Sequence, residues 1–167
     1  MDWLPLASAA LGGVIGSGST LLADRLRWRR ERELRQSDLA REAVERQTAL
    51  RRETYTQYLA ALSKARNGLR EVAHAPTLSH DERVDKLREL FLSSGAYELR
   101  FQMQLSASTD LVDLAEAAYK SLRILRTRIE DGAMFSDGLY LAARDAYHGA
   151  LRDLRAGMRD ELGVDPI

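Results

Sequence analysis

The sequence predicts an all-α chain: an N-terminal transmembrane helix continuing into a long charged stalk helix, followed by an antiparallel four-helix bundle. Three observations predict it. Residues 3–23 carry no charged side chain. Residues 24–53 are dense in opposite charges and contain neither Gly nor Pro. From Tyr55 onward, apolar residues recur in alternating steps of three and four, the signature of helices with one buried face. The expected divisions are a membrane anchor at 1–23, a charged stalk at 24–53 and a bundle at 54–167.

The anchor is expected first from its length. The 21 residues Trp3 to Ala23 match the ~20 that a helix needs to cross a hydrocarbon core ~30 Å thick. Asp24 ends the stretch, and Arg25, Arg27, Arg29, Arg30, Arg32 and Arg35 follow. Basic residues on the C-terminal flank place that side in the cytoplasm, giving a single-pass inner-membrane protein with its bundle inside the cell. Trp3 stands at one end of the stretch and Trp28 beyond the other, as interfacial tryptophans do. A cleavable signal peptide would place its basic residues before the apolar stretch rather than after it. Gly and Ser dilute the segment, and Ser8, Gly12, Gly16 and Thr20 fall four apart on one helical face. Small residues at that spacing let two membrane helices approach closely, so this face is the expected self-association surface of a homo-oligomer. A helix buried against a partner protein is the other reading of the same weakly apolar segment.

The stalk holds 10 Arg and 7 acidic residues. Arg27 and Glu31, Arg29 and Glu33, Glu31 and Arg35, Arg41 and Glu45, and Glu42 and Arg46 stand four apart. Each such pair supports a helix by roughly 0.2 to 0.5 kcal/mol. Its apolar residues form no continuous seam, so a solvated helix or a weak coiled coil is expected, spanning ~45 Å if fully helical. The six arginines from Arg25 to Arg35 form an expected contact with anionic lipid, at roughly 1 kcal/mol per basic residue near the surface. Acids are interleaved and no nucleic-acid-binding fold is recognisable, so nucleic acid is not an expected partner.

In the bundle, the first seam runs Tyr55, Tyr58, Leu62, Ala65, Leu69, Val72 and should end near Ala73, because Pro76 disfavours helix in the residue before it. Ser79 and Glu82 form the S-x-x-E capping box of a second helix. Its expected inner face is Val84, Leu87, Leu90, Phe91, Tyr97, Phe101 and Leu105, with Gly95 inside the pattern. A break at Ser106–Asp110 precedes a third helix facing inward with Leu111, Leu114, Ala118, Leu122, Leu125 and Ile129, closed by Asp131-Gly132. Ser136 is expected to open the last helix, with Leu139, Ala143, Ala146, Ala150 and Leu154 facing in. The six tyrosines are expected to pack with their hydroxyls near the surface.

This order of parts resembles a loose group of small uncharacterised bacterial proteins, in which a Gly/Ala-rich membrane segment precedes an Arg-rich stalk and a helical bundle. The resemblance rests on Leu11-Gly12-Gly13-Val14-Ile15-Gly16, the run Arg25 to Arg35 and the ending Asp160-Glu161-Leu162-Gly163-Val164. It implies the architecture and no activity.

Composition narrows the chemistry. The chain has no cysteine, which excludes disulfides, thiolate nucleophiles and cysteine-bound metals. With 25 basic and 25 acidic residues it has no net charge to attract a charged partner. Glu71-Val72-Ala73-His74 and Asp145-Ala146-Tyr147-His148 have the spacing of carboxylate-bridged metal bundles, but they fall at different levels, about 18 Å apart along the axis. His80 reads as a solvent-exposed turn residue. No Walker sequence or Ser-His-Asp set is present, so neither a catalytic group nor a cofactor is expected. The expected function is that of a non-enzymatic, membrane-tethered scaffold with an as yet unknown protein partner, favoured if the bundle exposes an apolar patch. The alternatives are a small-molecule or metal-binding bundle, which requires an internal polar cavity, and a membrane-active oligomer that forms a pore or lesion through the Gly-rich helix.

Overall fold

A computed structural model describes the backbone from Leu4 to Val164; side chains are described for Trp28, Glu31 and Arg32, and from Arg35 to Val164. All described regular structure is α-helical: α1 (Leu4–Ala73), α2 (His80–Ser93), α3 (Ala96–Ser106), α4 (Thr109–Glu130) and α5 (Gly138–Glu161). The chain divides into two units, Met1–Gln47 and Thr48–Ile167.

In the first unit the described side chains are exposed, Trp28, Leu39 and Val44 among them. Two of the expected charge pairs are formed, Arg35 with Glu31 at 3.2 Å and Arg46 with Glu42 at 2.8 Å. Exposed pairs of this kind contribute well under about 1 kcal/mol each. The residues 35–47 thus make a solvated helix. Among the described residues no helix is long and apolar enough to cross a membrane. The side chains of the expected anchor, including Ser8, Gly12, Gly16 and Thr20, lie outside the described residues, as do those of Arg25, Arg27, Arg29 and Arg30.

The second unit is the bundle. The last turns of α1 run antiparallel to α5: Tyr55 bonds Glu161, the Tyr147 hydroxyl donates to the Leu62 carbonyl, and the Phe135 N–H before α5 donates to the Ala73 carbonyl at the end of α1. Tyr58 bonds Ala115 on α4, which runs parallel to α1. Packing of Gly68 on Leu90 and a bond from Lys64 to the Ser93 carbonyl bring α2 antiparallel alongside α1. The result is an up-and-down bundle in which α2 and α3 together occupy the second leg. Its core holds Tyr55, Tyr58, Leu62, Leu69 and Val72 of α1, Leu87 and Phe91 of α2, Met103 of α3, the α4 seam from Leu111 to Ile129, and the α5 seam from Tyr140 to Met158.

The helix ends follow local chemistry. α1 stops at Ala73, ahead of Pro76. Ser79 accepts from the Glu82 N–H while the Glu82 carboxylate accepts from the Ser79 N–H, the reciprocal capping box read from the sequence. Ser108 caps α4 through the Leu111 N–H. Asp131-Gly132 and Leu162-Gly163 close α4 and α5 alike: the Ala133 N–H donates to the Arg128 carbonyl and the Val164 N–H to the Arg159 carbonyl, both at 2.9 Å.

Three expectations are corrected. The second helix is two helices, because Gly95 adopts φ 74 and its left-handed turn resets the phase. Ser94 bridges the break, its hydroxyl donating to the Phe91 carbonyl and accepting from the Ala96 N–H. Second, α5 begins after Asp137 rather than at Ser136, and its buried face is Tyr140, Ala143, Tyr147, Leu151, Leu154 and Met158, leaving Leu139 and Ala146 exposed. That face wins because it buries two tyrosines and a methionine where the alternative offers mainly alanines. Third, the Tyr58 and Tyr147 hydroxyls are buried rather than near the surface, each using a backbone carbonyl as acceptor.

Candidate interaction surface

The phase reset at Gly95 has its main effect on α3. Ala96 and Met103 turn into the core with Leu99 packed against it. Tyr97, Phe101 and Leu105, expected inside, instead stand on the outer face with 46%, 42% and 89% of their surfaces exposed. They are spaced four apart, so they form one ridge along the helix. The Tyr97 and Phe101 rings meet edge-on, 5.2 Å between centroids at 87°.

Arg100 fixes the base of this ridge. Its guanidinium lies 5.2 Å from the Tyr97 ring, 4.9 Å from Phe101 and 5.0 Å from Tyr119 of α4. Its Nε is 3.3 Å from a Glu116 carboxylate oxygen, an ion pair without hydrogen-bond alignment. Each of these three cation–π contacts favours the rotamers that keep the rings against Arg100. Burial pushes the Tyr119 phenol up, against the opposing pull of Arg100. An ordered aromatic ridge of this kind loses little side-chain entropy when it is covered, a property of residues that carry binding energy at interfaces. The signal for this surface was present in the sequence as Gly95; reading α2 straight through it put the same three residues inside.

The histidines do not converge. His74 stacks on Phe135, 3.8 Å between ring centroids. His148 lies beside Arg66, with Nε2 3.5 Å from a guanidinium nitrogen. His80 is exposed at the first position of α2. Among the described residues no three His, Asp or Glu side chains gather as a metal site would require. Two clefts lined by described residues open to the surface. One of about 410 Å³ lies over Lys120, Arg123, Ile124, Thr127 and Arg128 of α4, and another of about 350 Å³ lies between α1 and α5. Of the arginines expected at the lipid surface, Arg32 and Arg35 are exposed, and Arg35 is paired with Glu31.

Comparison of the chain with protein-family models, curated proteins and solved structures returned no match.

Proposed function

We propose that the chain is a non-enzymatic, membrane-tethered scaffold whose bundle binds a partner protein through the α3 ridge. The observation that carries the reading is the outward placement of Tyr97, Phe101 and Leu105 around Arg100. Apolar anchors about one turn apart along a helix are how a helix seats in an apolar groove. Tethering rests on the charge-free residues 3–23 and the arginines that follow them, with the bundle on the cytoplasmic side and self-association through Gly12 and Gly16.

The test uses the full chain in cells. A photo-crosslinking amino acid at position 105 should give a discrete adduct, and the same group at Leu139, exposed on α5, should not. Phe101→Glu should abolish the adduct, since a buried unpaired carboxylate in an apolar interface costs several kcal/mol. Adducts that are diffuse, or equal from both positions, would sink the ridge as a binding site. Alkaline carbonate extraction of the same cells tests the tether: the full chain should remain with the membrane, and a version starting at Arg25 should be released.

A further inference from the structure

Between α1 and α5 a groove of about 350 Å³ is floored by the buried Tyr147 and Leu151 and rimmed by Ser63, Arg66, His148 and Arg155. We propose that this groove binds a phosphoryl group, held by the Arg66 and Arg155 guanidinium groups with His148 as a third donor. The site is separate from the α3 ridge and independent of the scaffold reading.

The charge balance is the first argument. From Thr54 to Arg70, α1 carries no carboxylate and contributes Lys64, Arg66 and Arg70. The α5 carboxylates near the groove are engaged: Asp145 pairs with Arg144 at 2.8 Å and Asp153 with Arg152 at 3.3 Å. The partners of Arg66 are neutral, the Asn67 side-chain oxygen at 3.0 Å and His148 Nε2 at 3.5 Å. Among the described residues no carboxylate pairs with Arg66 or Arg155. Two guanidinium groups that no carboxylate neutralises therefore line one opening together with an imidazole.

The histidine reports the same field. His148 is held below its ordinary range by burial first, and then by Arg66 and Arg144, with Arg155 adding to them and Asp145 opposing. On α1 the charged group facing it is Arg66; on α5 they are Arg144, Asp145, Arg152 and Arg155. A neutral ring can accept from Arg66. A bound oxyanion would offset the repulsion, let the ring take a proton, and turn it into a donor toward the ligand. A doubly charged tetrahedral anion suits this set better than a carboxylate, because one guanidinium fork satisfies a carboxylate and leaves the other cations unmatched. The Ser63 hydroxyl adds a donor from the α1 side. A bound anion should raise the pH at which His148 takes up its proton, because the protonated ring binds the anion more strongly than the neutral one.

The test is the titration of all three histidines by NMR in the full chain, in neutral detergent, comparing inorganic phosphate with chloride at equal ionic strength. The His148 midpoint should move up in phosphate while His74 and His80 stay in place. Arg155→Gln, a change at an exposed position that should leave the fold intact, should weaken phosphate binding about tenfold, the loss of one charge-assisted contact, and Arg66→Gln should do the same. A second arm places the chain in phosphatidylcholine vesicles with and without phosphatidic acid. A His148 shift in the phosphatidic acid vesicles alone assigns a lipid headgroup, and a shift with soluble phosphate assigns a free phosphoryl ligand. An unmoved His148 in every arm, a common movement of all three histidines, or a shift that persists in both Gln variants overturns the site.

Discussion

Glu161 ties three elements together with one carboxylate. It accepts from the Tyr55 hydroxyl of α1 at 2.9 Å, from the Ser108 hydroxyl at 2.8 Å and from the Ser108 N–H ahead of α4, and it faces Arg51 at 3.5 Å. Burial acts to raise its pKa, but the Ser108 hydroxyl and N–H, the Tyr55 hydroxyl and Arg51 outweigh it and hold the carboxyl below its ordinary 4.5. The reciprocal effect appears on Tyr55, pushed up to about 12 by burial and then by its bond to Glu161. A carboxyl whose native pKa is depressed contributes stability above its unfolded value and loses it as pH falls through the native one. Glu161→Gln should therefore lower stability by about 1–2 kcal/mol at neutral pH, and the gap to the parent chain should close as pH falls below 4.5. Urea unfolding of the two proteins across the acid range measures this, and a gap that stays constant with pH would refute the charge argument.

At the scale of elements, three glycines separate backbone from packing effects. Gly149 lies inside α5 with nothing within 4 Å of an added Cβ, so Gly149→Ala should stabilise by about 0.5–1 kcal/mol through helix propensity alone. Gly157 is on the same helix, but its Cβ would sit 2.8 Å from the Leu114 Cδ1 and 3.1 Å from the Leu111 Cδ1, so Gly157→Ala should forfeit that gain. Gly95→Ala should cost about 1–2 kcal/mol, because a Cβ is disfavoured at φ 74. Thermal melts of the three variants should rank them in that order. These elements also show what the sequence could tell. α4 is legible in its bounds and most of its seam because a Ser cap, a 3-4 repeat and a terminal Asp-Gly agree, although Ala115 and Tyr119 are buried as well and Leu114 only partly. The α2 start was legible from one capping box. α5 was misread by one position because Ala143 and Leu154 belong to both candidate faces, and only the volume of Tyr140 and Tyr147, weighed against the opposite helices, decides between them. The α3 ridge was hidden for a different reason: periodicity carried across Gly95 keeps counting at 100° per residue, where the backbone turns left-handed. The α1–α5 groove was not legible at all, since Arg66 and Arg155 are 89 positions apart in the chain and nothing local marks either of them.

Across the molecule as a whole, stability resides in the Thr48–Ile167 unit, which contains every buried side chain among the described residues. Beside the apolar core, chain-distant hydrogen bonds close it, and one of them starts outside any helix. The Phe135 N–H, in the connection between α4 and α5, donates at 3.2 Å to the carbonyl of Ala73, itself wholly buried at the end of α1. Loop amides ordinarily trade their hydrogen with solvent quickly, whereas this one can do so only when the α4–α5 corner lifts off α1. In deuterated buffer the Phe135 signal should persist as long as those of the α4 core around Leu122 and Leu125, while the neighbouring Ser136 amide fades early. A matching lifetime would make this single position a clock for global opening of the bundle. Early loss at Phe135 would mean that the corner opens on its own, ahead of the core.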